Sequence, residues 1–379
     1  MKRILISCVL AGLACVLLVA QNSRAADDKQ TSWPMFRGNP ALTGVTTEVL
    51  PEKPKLLWTF KSEAPIKGSP CIVGDRIYVA SLDDSLYALK KSDGTKIWQF
   101  KAGGPIESSP CVVDKLIYIG CSDHLVYAVE AETGKEKWRY EAQGDIKGAP
   151  NYVDGKIIVG SYDNSLHCMD ALTGKGLWTF PTSNYVNGAP AIAGGVAIFG
   201  GCDGALHAVD VKSGSETNAV GVGNPIAASA AVYGDIAYVG HYGNEVIAAD
   251  MKKGEIVWHF ENPHAFPFFS SAAVNKEKVV IGGRDKCVHC FDREKGKELW
   301  TFTARGSVDS SPVIAGDKIV VGSDDGRVYI LNLADGKEVW NYEIGSAIDS
   351  SAAVADGIFV IGASDGLLYA FGKSDSPGK

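Results

Sequence analysis

One tryptophan recurs along this chain at a nearly constant interval. Trp58, Trp98, Trp138, Trp178, Trp258, Trp300 and Trp340 stand 40 or 42 residues apart, with one gap where Asn218 falls in the slot. Each closes a short run such as EAETGKEKWRY (Glu130–Tyr140) or DREKGKELWTF (Asp292–Phe302). A second signature, GSPCIVGDRIYVA from Gly68, has equivalents from Ser108, Gly148, Gly188, Ala228, Ser270, Ser310 and Ser350. A period of this length marks a supersecondary unit that buries its apolar face only by stacking on its neighbours.

Within a unit, apolar residues alternate with period two and Val, Ile and Tyr are prominent, which is strand patterning. Turn residues separate four such runs, and no stretch shows capped helical periodicity. The chain is therefore expected to be all-β, an eight-bladed β-propeller of four-stranded antiparallel blades. The last copy, from Ser350, supplies only three strands, while Leu56–Phe60 (LLWTF) is an orphan outer strand at the other end. Pairing the two closes the ring. The expected propeller spans 56–372. Residues 26–55, rich in Pro and Gly, read as a surface-hugging lead-in, and 373–379 as a disordered tail.

The recurring indole falls on the outermost strand of each unit, shortly after a Gly that permits a left-handed turn. A side chain of that size buries on the order of 150–250 Å² and carries one N–H in need of an acceptor. Repeated once per blade, the seven tryptophans are expected to wedge each blade against the next.

Lys2 and Arg3 precede an apolar run from Ile4 to Ala20, and Ser23-Arg24-Ala25 offers small residues at a cleavage site. Residues 1–25 therefore read as a cleaved export signal, leaving no transmembrane span. Gly12-Leu13-Ala14-Cys15 only approximates a lipoprotein signal, so lipidation of Cys15 stays open. Cleavage removes three of the 37 basic residues and none of the 44 acidic ones, taking the net charge from −7 to −10. That balance excludes nucleic acid as a partner, because phosphate binding needs a basic face. The seven cysteines left are an odd number and scattered, so no disulfide framework is expected.

The run Asp170-Ala171-Leu172-Thr173-Gly174-Lys175-Gly176-Leu177-Trp178, with the lead-in Trp33-Pro34-Met35-Phe36-Arg37-Gly38-Asn39, resembles the tryptophan-docking motif of PQQ-type propellers. That superfamily includes quinoprotein alcohol dehydrogenases and the outer-membrane assembly factor BamB, and the resemblance runs from Trp33 to about Phe371. It implies either of two functions. One is an exported, non-enzymatic scaffold that docks envelope proteins, periplasmic or associated with the outer membrane. The alternative is a PQQ-dependent quinoprotein dehydrogenase or another small-molecule-binding propeller. The resemblance implies that such an enzyme holds its quinone between a Trp and a ring of two adjacent disulfide-bonded cysteines, beside Ca²⁺ and a catalytic Asp. This chain has no Cys-Cys pair, and seven of its eight tryptophans occupy docking slots. Neither PQQ nor Ca²⁺ is therefore expected, and no catalytic residue is assigned.

Other chemistry is also weakly encoded. Cys287 and Cys290 have C-x-x-C spacing, but on a strand residues three apart point to opposite faces. His167, His207 and His289 share a column with Tyr87, Tyr127, Tyr329 and Tyr369, so they read as strand aromatics. Asp83, Asp123, Asp163, Asp203, Asp285, Asp325 and Asp365 fall in the second hairpin turn of their blades, where turn chemistry explains them.

Function is expected where the units differ. Position 67 and its equivalents read Lys67, Glu107, Lys147, Asn187, Ala227, Phe269, Asp309 and Asp349, a candidate ring around the channel mouth. Asp309 and Asp349 lie on adjacent blades and could share a cation. The return loop HFENPHAFPFFS (His259–Ser270) is two residues longer than its counterparts. Its His264, Phe266, Phe268 and Phe269, with His241, Tyr242 and Arg284 on neighbouring turns, form a candidate partner-binding cluster. Phe268 and Phe269 could instead fold inward and plug the mouth.

Overall fold

The computed structural model describes residues 32–373; the segment 1–25 read as an export signal, Cys15 and the residues beyond 373 lie outside that range. Eight four-stranded antiparallel sheets follow one another around a ring, and the described residues contain no helix. Blade 1 shows the plan, with strands Cys71–Val73, Arg76–Ser81, Ser85–Lys90 and Lys96–Lys101 running from the inside outward. Blades 2 to 7 repeat it, beginning at Cys111, Asn151, Ala191, Ala231, Ala273 and Val313. Blade 8 takes its inner three strands from the C-terminal end (Ala353–Ala355, Ile358–Gly362, Leu367–Gly372) and its outer strand from Lys55–Lys61. Trp58 stands opposite Ala370 in that pair, so the ring closes as the orphan strand requires.

Each outer strand joins its blade with a β-bulge at the same place. In blade 1 Ala88 faces Trp98 and Leu89 faces Lys96, leaving Ile97 unpaired. A bulge bends the strand and re-aims its side chains. Here it turns the indole toward the following blade. The residue opposite the indole is Ala or Cys in most blades, as with Cys168 facing Trp178 and Cys290 facing Trp300, and Ile330 facing Trp340 is the exception. Both thiols are buried, and burial pushes each up to about 12, so they pack as small apolar groups. All seven cysteines among the described residues are unpaired.

Six indole N–H groups donate to the backbone of the next blade: Trp58 to Lys91, Trp98 to Ala131, Trp138 to Ala171, Trp178 to Val211, Trp258 to Arg293 and Trp300 to Leu333, at 2.9–3.2 Å. The turn glycine of that next blade lies on the indole face. At Gly94, φ is +72° and a Cβ would sit 2.4 Å from Cε3 of Trp58. Both the left-handed backbone and the ring contact therefore require glycine there. Asn218 donates from Nδ2 to Met251 O at 3.1 Å, keeping the bond without the ring.

The lead-in departs from expectation. It is a plug, not a surface strap. Ser32–Trp33 pairs antiparallel with Ile72 and Val73 of blade 1, and Val45–Thr46 runs parallel to Ile314 and Ala315 of blade 7. Between them, carbonyls of Pro34, Pro40, Ala41, Thr43 and Gly44 accept from the inner-strand amides of Val112, Ile192, Val232, Val274 and Ile314. Innermost strands have one unpaired edge facing the channel, and this segment satisfies it. Trp33, Met35, Arg37, Leu42 and Leu50 are buried as a result. The Arg37 guanidinium donates to the carbonyls of Ala272, Ser311 and Pro312 at 3.0, 3.1 and 2.6 Å, tying blades 6 and 7 to the plug.

Candidate functional site

The plug makes the axial channel a pit, closed at one end. Phe36 is part of its lining, and the open rim carries Lys67, Glu107, Lys147, Asn187, Ala227, Phe269 and Asp349 around a cavity of about 180 Å³. The expected ring is thus assembled in space, with Asp309 on the same rim through its partner Arg284.

A second ring lies below the rim. Backbone amides of Ser69, Ala189, Ser229, Ser271, Ser311 and Ser351 each donate to the serine hydroxyl of the following blade at 2.8–3.1 Å. These serine hydroxyls therefore lace six of the eight blade junctions. The turn aspartates lace a different level. Asp83, Asp123, Asp325 and Asp365 accept from the Tyr hydroxyls of Tyr87, Tyr127, Tyr329 and Tyr369 at 2.5–2.7 Å. Asp163, Asp203 and Asp285 take the same bond from Nε2 of His167, His207 and His289 at 2.9–3.0 Å. Several also accept an amide from the incoming return loop, as Asp83 does from Glu63, Asp123 from Gly103 and Asp325 from Arg305. Turn chemistry was only half their role; they also tie loop to blade. In blade 5 both partners are lost together, Gly243 standing for the Asp and Ile247 for the aromatic.

The distinctive chemistry lies at the rim of blades 5 to 7. Tyr242 and Phe269 meet with ring centroids 4.5 Å apart, and the Arg284 guanidinium lies over the Phe269 ring, 3.9 Å from its centroid. Arg284 is held by a forked pair with Asp309, Nη2–Oδ2 at 2.7 Å and Nε to both oxygens at 3.1 Å. Tyr242 is half exposed, and Phe266 projects from the long loop at 46% exposure, with His264 beside it in solvent. These are pre-set aromatic and Arg anchors of the kind that dominate protein contacts.

Two members of the expected cluster are withdrawn from it. Phe268 is fully buried between blades 5 and 6, against Gly240, Gly283 and the His289 ring. It fills the core position held by Ile66, Ile106 and Ile146 in other blades, because successive strand residues face opposite ways. His241 is also fully buried, with Nδ1 accepting from the Gly243 amide at 3.0 Å. Burial lowers its proton affinity despite Glu245 nearby, so it is a neutral structural group.

Opposite this cluster the rim is basic and aromatic. Lys147 pairs with Glu107 at 3.1 Å and lies 5.2 Å over Tyr162, which stacks on Tyr185 at 4.8 Å. Asn187 donates to Cys202 Sγ at 2.9 Å. Tyr162, Cys202, Tyr242, Arg284 and Asp324 form one column at the second hairpin turn, and reading that column in the sequence would have found Tyr162 and Asp324. Burial, and then the charges of Asp309 and Asp349, push the Asp324 carboxyl up to about 6.

On the rim, Asp309 is engaged by Arg284. Asp285, Cys287 and His289 place ligand atoms within 4.8 Å of one another. Both His289 nitrogens are engaged, by Asp285 at 3.0 Å and Glu298 at 2.7 Å. Burial opposes charge on His289, but those two carboxylates outweigh it and hold its proton above the usual imidazole range.

Comparison with solved structures gives the same fold. BamB from Moraxella catarrhalis is 21% identical, with a TM-score of 0.71 over 86% of this chain and 99% of that one. The quinohemoprotein alcohol dehydrogenase from Comamonas testosteroni is 14% identical, with a TM-score of 0.78 over 94% of this chain and 83% of that one. A computationally designed protein, 17% identical, has a TM-score of 0.76 over 84% and 100%. No curated protein sequence matches. The family model described as outer membrane protein assembly factor BamB matches residues 44–146, 106–259 and 243–376. Across nearly all of its described length, then, this chain belongs to the BamB family of PQQ-like repeat propellers.

Proposed function

We propose that this protein is an exported, non-enzymatic scaffold that docks other proteins of the cell envelope, in a BamB-like role in outer-membrane protein assembly. The observation that carries the reading is the anchored cluster Tyr242–Phe269–Arg284–Asp309, with Phe266 standing free beside it. Aromatic rings and an arginine already fixed by stacking and a forked ion pair lose little freedom on binding, which favours a protein contact. The face is open to solvent and ringed by charges of both signs, which suits recognition of a polar partner surface. No helix among the described residues is long and apolar enough to cross a membrane.

The residues present do not fit a tricyclic quinone. The pit is about 180 Å³, below the range of about 300–1,000 Å³ usual for cofactor pockets. No tryptophan lines it, and six docking indoles are bonded into neighbouring blades instead. The Asp column that could supply a base is tied to Tyr and His partners.

The test is affinity capture of the tagged mature protein from its native envelope, with mass spectrometry of what is retained. Wild type is expected to retain a defined envelope protein, and the double variant Tyr242→Ser, Phe266→Ser to lose most of it while keeping its circular dichroism. Equal capture by both would remove this face from the interface. Stoichiometric binding of PQQ with Ca²⁺, followed by dye-linked alcohol oxidation, would replace the scaffold reading by the dehydrogenase.

A further inference from the structure

Blade 6 carries a set of donors at its second hairpin turn that no other blade has. In blades 3, 4 and 6 the turn aspartate meets a histidine where four other blades have a tyrosine. The residue two before that histidine is Ser165 in blade 3, Ala205 in blade 4 and Cys287 in blade 6. Residues two apart on a strand share a face, so Cys287 points to the same side as His289. Asp285, Cys287 and His289 therefore converge, with ligand atoms all within 4.8 Å of one another. Blade 4 holds the same aspartate, histidine and outer-strand glutamate (Asp203, His207 and Glu216) without the thiol. The cysteine turns a structural pair into three donors of three kinds.

The surroundings hold two of these donors in place. Glu298 Oε1 accepts from His289 Nδ1 at 2.7 Å, which fixes the ring and aims Nε2 at Asp285 Oδ2, 3.0 Å away. A carboxylate behind a histidine in this way is the usual support of a metal-bound imidazole. Asp285 is held from two sides, its Oδ1 by the Cys287 amide at 3.0 Å and its Oδ2 by Asn262 Nδ2 at 2.8 Å. Asn262 is particular to the long return loop; blades 1, 2, 3 and 7 supply a backbone amide at that place. The side chains of Asp285 and His289 are 3% and 4% exposed, and the rings of Phe260 and Phe268 lie 5.8 and 5.4 Å from the imidazole. Cys287 is half-buried, and its thiol is loosely held, 3.6 Å from Thr303 Oγ1 and 3.7 Å from Asp285 O. The sulfur is thus the side on which an ion can enter.

We propose that Asp285, Cys287 and His289 form a zinc site, with a carboxylate oxygen, Sγ and Nε2 as ligands and water in the fourth position. A thiolate beside an imidazole selects zinc over magnesium or calcium, whose ligands are oxygens. Tetrahedral bonds of about 2.0–2.3 Å set ligand atoms about 3.3–3.6 Å apart. The Asp285–His289 separation is already close to that, and a turn of the loosely held Cys287 side chain closes the rest. The metal replaces the proton between Nε2 and Asp285 and the one on the thiol, and both protons pass to solvent. The site lies at the seam of blades 5 and 6 and is independent of what the rim docks.

The probe is Co²⁺, a spectroscopic stand-in for zinc, titrated into the purified, reduced mature protein at mildly alkaline pH, where the protons leave most readily. One equivalent is expected to give the visible bands of tetrahedral cobalt with a thiolate-to-cobalt charge-transfer band, and one equivalent of Zn²⁺ to bleach both. Two variants decide the ligands, each taking a residue that another blade carries at the same place. Cys287→Ser copies Ser165 and His289→Tyr copies Tyr87, so both are expected to fold. Loss of the charge-transfer band in both variants, with circular dichroism unchanged, supports the site. No such band in the wild type, or a band that persists in either variant, overturns the proposal.

Discussion

Replacing Trp138 with Ala isolates the wedge from everything else in a seam. The indole is 9% exposed, its N–H meets Ala171 O at 3.0 Å, and the Tyr118 ring packs 5.8 Å away. Burial of about 150–250 Å² at about 25 cal/mol per Å² corresponds to about 4–6 kcal/mol. Compact unfolded chains lower that figure, so about 4 kcal/mol is expected for Trp138→Ala, within the usual range for such truncations. The hydrogen bond is the smaller part. Tyr118 also donates to Ala171 O, at 3.0 Å, so the carbonyl is not orphaned when the indole leaves. Trp138→Phe is therefore expected to cost about 1–2 kcal/mol. Trp138→Asn, which copies the blade 4 seam, should cost nearly as much as Ala. Urea denaturation gives the totals, and amide exchange of Glu136–Glu141 and Gly174 shows whether the loss is local. A cost under about 1 kcal/mol for Ala, or equal costs for Ala and Phe, would refute the wedge as the source of seam stability.

Further outcomes follow from the same geometry. Amides of Glu216–Gly221, next to Asn218, should exchange faster than those of the other outer strands, and uniform protection around the ring would contradict this. Asp324→Asn should stabilise the protein by about 1 kcal/mol at pH 8, after screening. The raised carboxyl is a cost of the folded state above pH about 6, and the gain should vanish below the unfolded value of about 4. His289 has the opposite sign of dependence. Its proton is held more tightly in the folded state, so its contribution is fully present below the unfolded value of about 6.5 and is lost as pH rises through the folded one. His289→Gln should accordingly destabilise more at pH 5.5 than at pH 9, as thermal melts at the two values would show. Arg37→Ala should release the plug and raise exchange at Val274 and Ile314, while the outer strands keep their protection.

Columns of the repeat made the fold legible. Eight copies fix which residue faces which, so the blade count, the closing strand and the docking slot of Asn218 could all be read without coordinates. What occurs once could not be. The segment 32–50 has no second copy to align with, and its Pro and Gly content is that of a loop. Only the unpaired inner edges of eight blades show why it is buried. Phe268 and Phe269 look equivalent as residue types, yet one falls in the column of Ile66 and the other in that of Lys67, so alternation alone separates them. Taken alone, the Asp column has the look of turn chemistry. Its pairing with the aromatic four residues on is visible only when two columns are read together, as their joint loss at Gly243 and Ile247 shows.

The central functional claim is that the open face of the ring meets a protein. A photocrosslinking side chain placed at Phe266, and separately at Val49 on the plugged face, tests it in the native envelope. Both positions are exposed, at 46% and 70%. One discrete cross-linked protein from position 266 and none from position 49 is the expected result. No product at 266, or the same products from both faces, would contradict it.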